Sequence, residues 1–197
     1  MANDKMLRGN VTVLLAYPEY AVNPLAPTAA ELNAQFAWSP TTSQANMVFN
    51  VSCATADDYT LNQTDSDTDD TRTVCDTAAV QTPTYQNYEG SLDFLRDKSV
   101  TDQGLFNLAA ELTRGVDRPL YAIKRIGKAN SAAFAIGDEV SIYGFTTDYP
   151  QDIVESGALL MHGARFKPNG KFASNYVLVS PPDSTVTGVA WHEDDTP

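Results

Sequence analysis

The chain has 197 residues, 43% of them apolar, enough for the core of one ordinary domain and too few for two full ones. Charged residues make up only 19%, yet 25 Asp and Glu stand against 13 Lys and Arg, a formal charge of -12. Proteins that grip the nucleic-acid backbone need a basic footprint, so this balance excludes tight DNA or RNA binding while permitting a surface that DNA slides past. The acid is concentrated early: through Gly90 there are 11 acids and 3 bases, a balance of -8, which leaves -4 for the remainder.

Residues 1–10 read as a short arm carrying Lys5 and Arg8, with no apolar stretch of signal-peptide length behind them. No run of about 18 apolar residues could span a bilayer, so the expectation is a chain made in the cytoplasm and bound to no membrane. Residues 11–17 have strand character and Pro18 ends it. Two prolines and Thr28 mark a turn over 23–28, and Thr28 is placed to cap a helical run through Ala29, Ala30, Leu32 and Phe36, with an extended arm as the alternative. After a break at 38–42, residues 47–54 read as a second strand.

Residues 56–73 are almost all Asp, Thr, Ser, Asn and Gln. Such a stretch cannot bury itself, and it reads as the tip of a long hairpin or a mobile loop, with 72–77 returning as the partner strand. Asp65, Asp67 and Asp69 occupy the first, third and fifth places of a calcium loop and Asp76 the twelfth. Against that match, the sixth place, where the sharp turn needs Gly, is Asp70, and the flanks look like strands. The competing reading is a solvated acidic loop, or one that meets a basic surface of a partner.

The stretch 88–166 states an architecture. Tyr88, Gly90, Leu92 and Phe94 alternate with Glu89, Ser91 and Asp93, the period of a strand with one buried face. Leu105, Leu108, Ala109 and Leu112 then lie on one helical stripe, and Gly115 after Arg114 suits a left-handed cap. Three strand-like runs follow at 119–126, 139–147 and 158–165, and two more at 175–179 and 185–191 bracket Pro181 and Pro182. A sheet with one packed helix results. The tail at 192–197 is acidic.

Catalytic signatures are missing. His162 and His192 form no pair at metal-ligand or base-nucleophile spacing, and there is no G-x-S-x-G, H-E-x-x-H or phosphate-binding glycine loop. A glycosidase reading of the many carboxylates would need a cleft that spacing does not supply. The chain reads as no enzyme and as needing no cofactor. Cys53 and Cys75, in a reducing compartment, are read first as free, buried thiols; the alternative is one disulfide between them, formed once a finished particle meets an oxidising medium. Lys124, Arg125 and Lys128 form the one local basic cluster, able to oppose the acidic loop of a neighbouring copy or simply to solubilise a turn.

The stretch 85–166 resembles the major tail tube proteins of long-tailed, non-contractile (siphovirus-type) bacteriophages, particularly those of actinobacterial hosts. The resemblance is carried by N-Y-E-G-S-L-D-F-L-R-D, by the helix L-F-N-L-A-A-E-L-T-R-G, by R-P-L-Y-A-I-K-R, and by the strands G-D-E-V-S-I-Y-G-F and G-A-L-L-M-H-G-A-R-F. It implies a mainly β (α+β) fold: a β-sandwich or rolled sheet with one flanking helix, a long hairpin and terminal arms, as a single domain over 1–197. It implies hexameric rings stacked into a tube, inner strands joined edge to edge between copies, and genomic double-stranded DNA passing through without specific binding. Tape-measure, tail-terminator and distal tail proteins are the implied partners, and the virion tail the implied location. Under this reading 1–10 and 56–73 become contacts between rings, with Asp65, Asp67, Asp69, Asp70, Lys124, Arg125 and Lys128 as contact residues. Two alternatives stand beside it: a monomeric β-sandwich binding module, a capsid decoration or receptor-contact domain with or without calcium dependence, and a tail terminator on a related fold.

Overall fold

A computed structural model describes residues 10–35, 48–69, 82–97, 99, 104–154 and 160–179. The fold is mainly β, with one antiparallel sheet and a single long helix. Its first strand, β1 (Val11–Ala16), is a nearly continuous apolar run, as suits a strand buried on both faces. Pro18 ends it in a 3-10 turn, Pro18–Tyr20. Thr28 caps the short helix α1 (Ala29–Asn33) in a full capping box: its hydroxyl accepts from the Glu31 N–H, and the Glu31 carboxylate accepts from the Thr28 N–H at 2.7 Å. The expected continuation to Phe36 lies outside the described residues. The second strand, β2 (Val48–Asn50), is shorter than the predicted 47–54 because the N–H groups of Ala54 and Thr55 both turn back to the Val51 carbonyl.

The hairpin of β3 (Thr60–Asp69) and β4 (Thr82–Leu95) follows, antiparallel, then α2 (Leu105–Arg114), β5 (Pro119–Ile126), β6 (Glu139–Thr147), β7 (Gln151–Ile153) and β8 (Met161–Val177). Among the described residues the strand order is β2-β1-β5-β6-β8-β4-β3, with β7 against β8. The long strand β8 belongs to two layers. Its first five residues pair with β4, and with β7 on the other side, while Phe166 onward pairs with β6.

That single strand corrects the sequence reading, which had separate strands at 158–165 and 175–179. Pro168, Asn169 and Gly170 lie between those two predicted spans. They are instead accommodated in a β-bulge opposite Gly144, with Gly170 at φ +81°, and a second irregularity follows at Asn175, φ 53°. The cap of α2 is a second correction. Gly115 is extended, and the left-handed residue is Asp117, φ 61°. At the other end of α2 the Asp97 carboxylate accepts from the Asn107 N–H at 3.2 Å. The strand predicted at 185–191 lies outside the described residues.

Two cores sit on the two faces of β1, β5 and β6. On one side Val13, Leu15, Leu120, Ala122, Tyr143 and Phe145 meet Leu61, Tyr88, Leu92 and Phe94 of the hairpin, together with Ala109 and Leu112 of α2. On the other, Leu14, Ala16, Tyr121, Ile123 and Ile142 meet Leu32 of α1, Phe134 and Leu178. Where β4 and β8 diverge, Tyr88 fills the wedge: its ring stacks on Phe172, and its hydroxyl donates to the Gly144 carbonyl at 2.7 Å. The hairpin can lie this close because Gly90 has no side chain; a Cβ there would sit 2.4 Å from the Phe145 ring.

Candidate functional site

The feature that the core does not explain is the outer half of the β3–β4 hairpin. Beyond Leu61 and Tyr88, the described part of this ribbon is polar on both faces and exposed along most of its length. The sequence reading made 56–73 a tip or loop. From Thr60 to Asp69 it is one arm of the hairpin, and its partner strand begins at Thr82, while 72–77 lies outside the described residues. Thr60, Thr64 and Thr68 supply the β-branched character that the missing apolar residues do not. Side chains brace the ribbon: Thr84 Oγ1 donates to the Asp67 carbonyl at 3.0 Å, and Asn87 Nδ2 donates to the Asp65 carbonyl and to Asp67 Oδ1. Tyr85, 72% exposed, is its one large aromatic among the described residues.

The ribbon sets Asp65, Asp67 and Asp69 along an extended backbone. The register with β4 shifts on both sides of Asp67, so the three carboxylates do not follow an unbroken alternation. Among the described residues no group of three His, Cys, Asp or Glu could hold a metal ion. Asp70 and Asp76 lie outside the described residues.

The basic cluster proves to be three side chains with three different tasks. Arg125 is 1% exposed, which corrects its reading as a contact to another copy. Its guanidinium donates to the carbonyls of Ala129, Ala132 and Ala133, to Thr12 Oγ1 and to Asp138 Oδ2, and lies 4.1 Å from the Phe134 ring centroid. It holds the segment 127–138 against the sheet. Lys128, half exposed, pairs with the same Asp138 at 2.5 Å. Burial pushes the Asp138 carboxyl up, but hydrogen bonds from Lys128, the Ala135 N–H and Arg125 outweigh it and hold the group below the usual carboxylate range. Lys124 turns across the core face instead: its ammonium donates to the Leu61 carbonyl and toward Asn62 Oδ1, fastening β3 over β5. Partial burial lowers its pKa.

His162 is buried on β8, stacked against Phe94, with Nε2 3.1 Å from Thr113 Oγ1 of α2. The Thr113 hydroxyl also reaches the Ala109 carbonyl at 3.1 Å, and the tautomer of the imidazole sets which partner donates in the His162 contact. This is a core histidine that joins helix to sheet. His192 and Cys75 lie outside the described residues. Cys53 is a free thiol, but exposed rather than buried, and it accepts from Asn130 Nδ2 at 3.0 Å.

What sequence reasoning missed is the sheet edge. The four strands β3-β4-β8-β7 form one layer, and its two outer strands, β3 and β7, pair on one side only among the described residues. Unpaired N–H and C=O groups along an edge are a template for another chain. No described helix is long and apolar enough to cross a membrane. A family model described as phage tail tube protein matches residues 1–181 of the chain. No curated protein matches it.

Proposed function

The chain belongs to the phage tail tube protein family, and from that premise we propose that its copies close into hexameric rings which stack into the tube that carries DNA into the host. As a family member it is a structural component of the virion tail, assembled in the host cell. The finer reading is that of a long-tailed, non-contractile phage, with one domain over 1–197 and the tape-measure, terminator and distal tail proteins as neighbours along the tail.

The observation that carries the proposal is the open four-stranded layer with one-sided outer strands β3 and β7. A closed ring removes such edges by pairing each with the next copy. The polar ribbon supports it as well. An isolated two-stranded ribbon is marginally stable in water, and this one has no core of its own beyond Leu61. In the proposal it is the contact between rings, with Asp65, Asp67, Asp69 and Asp70 on one side and Lys128 among the exposed cations that can meet them. Lys124 and Arg125 serve the fold of their own copy.

Negative-stain electron microscopy of the concentrated protein, beside light scattering, tests the reading. Long hollow tubes of six-fold rings are expected. Shortening the ribbon by joining Thr64 to Asn87 through a two-residue turn should leave rings or monomers with the core intact, because, among the described residues, every buried one of the hairpin lies outside the excised part. A chain that stays monomeric when concentrated and when mixed with tail-tip complexes would overturn the proposal.

A further inference from the structure

We infer that the chain forms a covalent bond of its own between its two layers, an isopeptide in which the side-chain nitrogen of Lys124 replaces the carboxamide nitrogen of Asn62, with release of ammonia. The inference concerns the single subunit and does not depend on how copies assemble. Its first support is the contact across the layers. Lys124 Nζ donates to the Leu61 carbonyl and lies 3.4 Å from Asn62 Oδ1, and the carbon it would attack is the next atom of that side chain. Both partners are held. The backbone of Lys124 is paired on both sides, with Val13 of β1 and Ser141 of β6. The turn that enters β3 is pinned to β4, where the Ala56 N–H donates to the Asp93 carbonyl at 2.7 Å. A nucleophile already ordered beside its electrophile avoids much of the entropic cost of reaction.

The second support is what surrounds the amine. An ammonium has no lone pair, so a lysine attacks only as the free amine, and desolvation is one way to obtain it. Lys124 is partly buried, 5.7 Å from the Tyr143 ring centroid, and burial lowers its pKa, which raises the share of free amine. It shares a cavity with Val11, Asp57, Tyr59 and Asn62. Asp57 is the acid of that lining, and its carboxylate fits the part of proton carrier. It takes the proton that the amine loses as the new C–N bond forms, and gives it to the carboxamide nitrogen, which leaves as ammonia when the old C–N bond breaks. No oxidant, reductant or outside group enters.

A second lysine shows what such a site requires. Lys128 Nζ is closer to Asp138, at 2.5 Å, but hydrogen bonds hold that carboxyl below its usual range, and a carboxylate facing an ammonium offers neither an electrophile nor a nucleophile. Lys124 meets a neutral carboxamide instead. The bond would staple the base of the polar ribbon to β5.

Intact mass spectrometry of denatured subunits tests the claim. The wild-type chain should be lighter by one ammonia than its sequence requires, while Asn62→Ala and Lys124→Met chains should keep their full masses. Asn62 is exposed, so its alanine variant serves even where the lysine variant does not fold. Closure of a succinimide at Asn169 and Gly170 would also release ammonia, so peptide mapping must locate the loss. Trypsin should fail to cut after Lys124, and the peptide carrying it should be branched to the one carrying Asn62. Asp57→Ala should slow the loss roughly 100-fold, so that this chain still has its full mass at the age when wild type has closed. An Asp57→Ala chain that closes with wild type would overturn the part given to Asp57. Full mass in fresh and aged wild-type chains, or a loss mapped to another site, would overturn the bond itself.

Discussion

Replacing Tyr88 by Phe isolates a single hydroxyl at the wedge between the two layers. The ring is 4% exposed and packs against Phe172 at 5.2 Å, Phe145 at 5.4 Å and Tyr143 at 6.0 Å, contacts that phenylalanine keeps. The hydroxyl has one proton, directed at the Gly144 carbonyl at 2.7 Å with the Lys171 carbonyl at 3.1 Å as second acceptor. Burial pushes the phenol pKa up, so the proton stays at ordinary pH. A hydrogen bond contributes about 1 kcal/mol net, and a buried carbonyl left without its donor adds to the cost, so Tyr88→Phe should lose about 1–2 kcal/mol. Tyr88→Ala also empties the wedge, and truncation of a buried aromatic costs about 3–5 kcal/mol. In urea, at a slope of about 2 kcal/mol/M, the Phe variant should unfold roughly 0.5–1 M earlier than wild type with the slope unchanged, and the Ala variant at least 1.5 M earlier. The assay is circular dichroism of unassembled subunits. A Phe midpoint equal to wild type, or as low as that of Ala, would refute the assignment of the wedge to this hydrogen bond.

Arg125→Met should cost about 3–5 kcal/mol, because it takes the donor from the Ala132 and Ala133 carbonyls and leaves Asp138 with only Lys128 and the Ala135 N–H. At roughly 2–4 °C per kcal/mol for a chain of this size, thermal melting should fall by about 10 °C, and a drop under 2 °C would contradict the role given to Arg125. His162 has its pKa lowered by burial first and by nearby Arg96 second. A base depressed in the folded state favours folding above its unfolded value of about 6.5, and that stability is lost as pH falls toward the folded value. The melting temperature should therefore decline as pH falls below about 6.5, and His162→Gln, which keeps a partner for Thr113, should flatten that slope. Calcium at millimolar concentration should leave the melting temperature where a chelator leaves it; a clear rise on adding the ion would restore the calcium reading of Asp65, Asp67, Asp69 and Asp76.

The parts of the fold that could be read in advance are those in which a period is written in side chains. Both β5 and β6 occupy the predicted spans, and the stripe Leu105, Leu108, Ala109, Leu112 is the packed side of α2. β3 carries no apolar period and owes its strand conformation to pairing with β4 and to the Thr84 and Asn87 side chains that reach it from β4, so polarity alone suggests a loop. The middle of β8 spells a turn locally, and only tertiary pairing with β6 turns Pro168 and Gly170 into a bulge. β7 is three residues long and largely exposed, too short to announce itself. Arg125 was the most recoverable miss. It shares strand parity with the buried Tyr121 and Ile123, and that alternation outweighs the basic look of Lys124, Arg125 and Lys128 in sequence. Glu89, Ser91 and Asp93 are visible in the sequence as the polar half of an alternation, but Arg165, which pairs with Asp93, stands on a distant strand.

The 17-residue strand β8 has a mechanical consequence. The same backbone is a rung of the layer containing β3 and β4 and a rung of the layer containing β5 and β6, so no hinge separates them. A pull on either layer is carried along one covalent chain into shear across many hydrogen bonds at once, rather than peeling them singly. In the proposed tube, a wall built from such subunits would stretch as one elastic shell, and its weakest joints would be the non-covalent seams between copies.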